Sequence, residues 1–313
     1  MFFMNVPKSL IEKIYNEDKK IILENVKKEI EEVENEFFEI LKKLNEGKYL
    51  TSNREGVLIE LEGESICVYI HNPKSSDNLV GRGLSRNILA YECEGIIPQE
   101  NYKKILSDFK KHEYIGKVDL FKLGSLNLII WIHERYGHIK LDRELGTQKW
   151  FSQILYLVKM LVLNNMMENT FKLAEYLYDL SLYEELYSLL GELLYLFYKV
   201  YTGTLQPKEA LQYLERYNPS HHIFNPTRYF STKKLQESEI GKIIYEFSKN
   251  PDNITSEYLE NIIALIARKR KEIEDRLKYW FENEVYKELV KTKEELRRES
   301  CKSEVQDKSS ECL

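Results

Sequence analysis

Residues 171–201, FKLAEYLYDLSLYEELYSLLGELLYLFYKVY, carry leucine and tyrosine on almost every face of a helix. A helix that is apolar all round is stable in water only inside a core, so other elements must surround it. That requirement sets the architecture: a central helix with partners on several sides. The chain has the material to supply them. With 313 residues, 43% of them apolar, it can bury a sizeable core in one large domain or in a main domain with helical extensions.

The partners can be read from hydrophobic period. Residues 8–46 form one long amphipathic helix, with Ile22, Val26, Ile30, Val33, Phe37, Ile40 and Leu44 stepping by three or four and Glu and Lys on the other faces. This stripe is close to a heptad seam, and packing on its own domain is favoured over pairing with another chain. After Glu46-Gly47 the period changes. Val57, Ile59 and Leu61 alternate with polar residues, Glu62-Gly63 makes a turn, and Ile66, Val68 and Ile70 alternate again, which predicts a β-hairpin near 56–71. A further short strand is expected around Val118 and Leu120. The intervening HNPKSSDNLVGRG is a polar loop, and its glycines form no phosphate-binding fingerprint.

From Ser125 to about Tyr201 the sequence reads as helical, with interruptions near Gly137, Gly146 and Asn164-Asn165. A loop with Pro207, a helix to about Tyr217 and the loop NPSHHIFNPTRY follow. A long helix is then expected from Thr255 to Arg298, before a polar tail of disordered composition. The expected fold is α+β and predominantly α-helical: a helical core, a small antiparallel hairpin or sheet and long terminal helices. Its divisions are an N-terminal helical arm at 1–48, a main α-rich domain at 49–250, a C-terminal helix at 251–300 and a tail at 301–313.

Composition narrows the function classes. Lys plus Arg number 46 against 51 Asp plus Glu, a net charge of -5, so no global field attracts nucleic acid or anionic membrane. The basic run Arg268, Lys269, Arg270, Lys271 precedes Glu272, Glu274 and Asp275 and reads as a solvated helix face with i to i+4 pairs. Four cysteines without CxxC spacing support neither a disulfide framework nor a cysteine zinc site. No signal peptide is expected at MFFMNVPKSL, and no apolar run reaches the about 20 residues that span a bilayer, so a reducing cytoplasm is the expected compartment. Abundant Lys, Glu, Ile and Tyr fit either heat adaptation or an AT-rich genome.

One stretch carries chemistry. WIHERYGHI, residues 131–139, holds His133 followed directly by Glu134, with His138 five positions after His133. Zinc hydrolases need neutral imidazole ligands, an open position for water and a carboxylate to take that water's proton. Histidines four apart on a helix share a face, but five apart on a regular helix they diverge by about 140°. Both can reach one metal only if the helix widens locally by a π-bulge or similar insertion, and Gly137 lies where such a distortion costs least.

His133-Glu134-Arg135-Tyr136-Gly137-His138 resembles the HExxGH motif of the dipeptidyl peptidase III family and, more loosely, the HExxxH motif of the tyrosine carboxypeptidase family. The resemblance implies His133 and His138 as zinc ligands, Glu134 as general base and a downstream glutamate as third ligand. Glu185, in the Glu184-Glu185 pair about fifty residues on, is the implied third ligand, with Glu184, Glu168 and Glu175 as alternatives. His221, His222 and Arg228 would bind substrate. The expected activity is that of a zinc-dependent peptidase acting on peptides or proteins.

Two other classes remain open. A non-catalytic interaction or scaffold protein would use the terminal helices to form a homo-oligomer or to hold a partner protein. SRNILAYECEG, residues 85–95, resembles the RNxxxH motif of the HEPN ribonucleases with Tyr91 in place of histidine, and Arg216 with His221 has that family's Rx4H spacing, which would bring nucleic acid in as a partner.

Overall fold

A computed structural model of the chain describes residues 19–45, 50–51, 56–61, 64–70, 79–80, 132–214, 226–251 and 254–307. Helix α1 (Lys19–Asn45) is followed by four strands, β1 (Leu50–Thr51), β2 (Gly56–Leu61), β3 (Glu64–Ile70) and β4 (Leu79–Val80). A π-helix at Ile132–Ile139 then leads without a break into α2 (Lys140–Leu145). Next come α3 (Thr147–Leu163), α4 (Met167–Tyr201), α5 (Pro207–Leu214), α6 (Pro226–Gln236), α7 (Glu239–Lys249) and α8 (Ser256–Trp280). A second π turn at Phe281–Val285 joins α8 to α9 (Tyr286–Asp307).

The α+β expectation is corrected: the fold is all-helical. The strands pair antiparallel in the order β1-β2-β3-β4, with Ile59 opposite Ile66 and β2 near α1, but helix dominates the described residues. Among the described side chains, every core residue lies on a helix except Leu205, in the turn after α4. The physical reason lies in α4, whose residues 186–198 are buried throughout and are covered by helices. The π-helix, α3, α6 and α8 all pack against it, and α1 lies across the π-helix, α4 and α8. The strand expected around Val118 and Leu120 lies outside the described residues.

Local chemistry sets the helix ends. Thr255 caps α8, its hydroxyl accepting from the Tyr258 amide at 3.2 Å, and Ser238 caps α7 in the same way. Gly146 separates α2 from α3 in the left-handed region, φ 74°, where a side chain would be strained. The C-terminal helix expected in one piece is widened at Phe281–Val285, where Phe281 stacks on Trp150 with ring centroids 3.9 Å apart. Its last segment continues to Asp307, past the point where the sequence predicts a tail.

Helix α1 buries its stripe inside its own chain: Ile22, Val26, Ile30 and Phe37 all join the core. Its acids grip the elements beneath. Arg135 of the π-helix binds Glu36 through two guanidinium nitrogens, and the Tyr136 hydroxyl donates to Glu29 at 2.6 Å. Lys140 also binds Glu29, while the Tyr195 hydroxyl and Lys199 both donate to Glu34 at 2.7 Å. Partly desolvated, charge-assisted contacts of this kind are stronger than exposed pairs such as Lys27–Glu31.

Burial acts to raise the Glu29 carboxyl, but Lys140, the Tyr136 hydroxyl and Arg270 outweigh it, so Glu29 titrates below its ordinary value of 4.5. A group depressed in the folded state contributes its full stability above the unfolded value and loses it as pH falls. Glu29→Gln should therefore lower the melting temperature at neutral pH by about 2–4 °C. It should also flatten the loss of melting temperature as pH drops below 4.5, measured by circular dichroism against the parent chain. An unchanged acid slope would contradict this role.

Candidate metal centre

The π-helix resolves the awkward histidine spacing. Its hydrogen-bond ladder runs from i to i+5, so residues five apart stack on one face as residues four apart do in an α-helix. His133 and His138 accordingly face each other, with Nε2 atoms 3.2 Å apart, ring centroids 5.0 Å apart and ring planes at 75°. Gly137 permits the arrangement. A Cβ there would lie 2.6 Å from the Ser188 Cα, so no side chain fits where the π-helix crosses α4.

That crossing brings one face of α4 beneath the imidazoles. Glu185, Ser188 and Glu192 recur at three, four and seven residue intervals and share the face. A Glu185 carboxylate oxygen lies 3.6 Å from His133 Nε2 and 3.4 Å from His138 Nε2. Together with the 3.2 Å between the two nitrogens, these distances form a nearly equilateral triangle of donor atoms. Ligands about 2.1 Å from a tetrahedral ion stand about 3.4 Å from one another. The three atoms thus match one face of a tetrahedron, and the donor chemistry fits zinc.

Glu192 supports the triangle from behind. It is 1% exposed, and its carboxylate lies 2.6 Å from His133 Nδ1. A carboxylate on one ring nitrogen fixes the tautomer and leaves the lone pair of the other nitrogen free to face a metal. Glu184 is also buried, and burial raises its carboxyl above the ordinary value, with His138 and Thr147 acting in the opposite direction. Glu184 is not part of the donor group. Glu168 and Glu175 are exposed and are not part of it either.

Among the expected residues, His133, His138 and Glu185 thus come together. The backbone of Glu134 lies in the π-helix between the two histidines, while its side chain is outside the described part. His221 and His222 lie outside the described residues, as does the side chain of Arg228 on α6. Arg86, Tyr91 and Arg216 are outside them too. Sequence reasoning missed Glu192, although a second acid two turns after Glu185 in an otherwise apolar run is a readable sign of a buried partner.

Two substitutions test this geometry. Gly137→Ala should force the helices apart, costing about 1–3 kcal/mol of stability in denaturant melts and weakening metal binding with it. Glu192→Gln should weaken metal affinity about 10–100-fold while His133 and His138 remain in place, read by titration against a chromophoric chelator. Unchanged affinity in Glu192→Gln would show that the carboxylate does not tune the site.

In comparisons with known proteins, no family model, curated sequence or solved structure matches the chain.

Proposed function

We propose that this chain is a zinc-dependent peptidase in which His133, His138 and Glu185 hold the metal and Glu134 acts as general base. The single observation behind the reading is the donor triangle, with its edges of 3.2, 3.4 and 3.6 Å. Two imidazoles and one carboxylate, with a fourth position left open, are a common ligand set for hydrolytic zinc. Zinc bound there would supply Lewis acidity and lower the pKa of a bound water toward neutrality.

The chain's own groups divide the remaining work. Glu192 keeps the His133 ring oriented with its Nε2 lone pair toward the site. Glu134 follows His133 directly, which suits it to take the proton from water attacking a peptide carbonyl. His221, His222 and Arg228 are proposed to hold the substrate's oxyanion or terminal carboxylate. The reading extends to a cytoplasmic location. No described helix is long and apolar enough to cross a membrane.

A metal-free reading of the same atoms is a histidine pair sharing one proton across 3.2 Å. Elemental analysis separates the two. The purified chain should carry stoichiometric zinc that is lost in His138→Ala, and its melting temperature should fall in chelator. Glu134→Gln should retain zinc while losing peptide cleavage by about 10²–10⁴-fold. A wild-type chain that takes up no zinc and melts identically in chelator would overturn the proposal.

A further inference from the structure

We infer that Arg270 of α8 is a positioning residue for the donor triangle: it holds the π-helix in the register that brings His133 and His138 together. The inference rests on the metal-site reading and names what keeps that site assembled. Arg270 is 4% exposed. Its guanidinium carbon stands 4.0 Å from the centre of the Tyr136 ring and 4.2 Å from that of Tyr187, so the cation is sandwiched between two aromatic faces. One of its terminal nitrogens donates to the backbone carbonyl of Tyr136. Among the described residues its close partners are thus a carbonyl and two rings, rather than a carboxylate.

Tyr136 lies between the two histidines in the π-helix. Where an i to i+5 ladder passes into the i to i+4 ladder of α2, two successive carbonyls compete for one amide, and one carbonyl needs a donor from elsewhere. A buried carbonyl left without one is costly, and the helix could remove that cost by returning to α-helical register. In that register the two imidazoles would diverge by about 140°. Arg270 removes the incentive by supplying a donor to the Tyr136 carbonyl, while its planar cation clamps the Tyr136 ring against Tyr187. Glu29 fixes the same side chain from the other end through the Tyr136 hydroxyl at 2.6 Å.

The test uses Co(II) as a spectroscopic probe and the whole chain. Arg270→Met removes the donor and the charge, Arg270→Lys keeps the charge but loses the planar fork, and Leu277→Ala destabilises the same helix without touching Tyr136. Wild type should bind Co(II) with the intense visible bands of a four-coordinate ion. Arg270→Met should bind about 10–100-fold more weakly with diminished bands, Arg270→Lys should fall between, and Leu277→Ala should match wild type in both. In metal-free protein with labelled histidines, the nuclear Overhauser contact between the two imidazoles should be present in wild type and lost in Arg270→Met. Should Arg270→Met keep both wild-type affinity and the ring contact, the inference is overturned. If wild type binds no Co(II) but the ring contact still depends on Arg270, the metal reading fails and the positioning role stands.

Discussion

The crossing of the π-helix over α4 at Gly137 and Ser188 is the contact on which the candidate site depends. Because neither helix carries bulk there, the backbones approach until a Cβ at 137 would lie 2.6 Å from the Ser188 Cα. His133 and His138 bracket Gly137 in the π-helix, and Glu185 and Glu192 bracket Ser188 in α4. The four groups meet because the smallest residues lie between them. A wider crossing would draw the buried Glu192 away from the His133 ring that it contacts.

The same economy explains the tyrosine-rich composition. Tyr136 and Tyr195 bury their rings against the core and pass their hydroxyls to Glu29 and Glu34 of α1 at 2.6 and 2.7 Å. Burial and the neighbouring acids push both phenols well above their ordinary range, so they remain neutral donors. A leucine at either place would fill the volume but leave the facing carboxylate without one of its donors. Helix α1 is therefore fastened to the π-helix and to α4 by polar contacts at the margin of an apolar stripe. Among its described side chains, Ile22, Val26, Ile30, Val33 and Phe37 of the seam pack within the chain.

Much of the helical organisation was legible because it follows from period and punctuation. The all-apolar α4, the stripe of α1 and the breaks at Gly146 and Asn164-Asn165 are local signals, each with a direct physical cause. The fold class was misread because alternation over 57–70 reports local strand pairing and carries no information on how small a share of the described fold that pairing makes. At the site, the five-residue histidine spacing with an internal glycine already implied a widened turn, and the π-helix supplies it. Glu192 was readable only as a second acid in an apolar run, and neither its partner nor that of Arg270 was legible. Each acts across a tertiary contact, Glu192 on His133 and Arg270 on Tyr136, and neither contact leaves a spacing in the sequence. Arg270 was concealed further by its neighbours: Lys269 and Lys271 do pair with Glu272 and Glu274 along the same helix, although Glu272 is itself buried.

Acidic groups are concentrated on the α4 side of the imidazoles. Glu184, Glu185 and Glu192 follow one another along α4 within two turns, and Asp142 adds to the potential that raises Glu184. Among the described residues, Arg135 is engaged with Glu36, Lys140 with Glu29, and Arg270 with the Tyr136 carbonyl. Two arrangements of the imidazoles can be compared: a proton shared between the rings, or a metal ion held with Glu185. A shared proton satisfies two atoms along one line. The third vertex, the Glu185 oxygen at 3.4 and 3.6 Å from the two nitrogens, is too distant for a good hydrogen bond to either. All three separations fit ligands gathered about a single small ion. The stacked rings on a widened turn, one of them braced by a buried carboxylate, are the arrangement on which the proposed metal role rests.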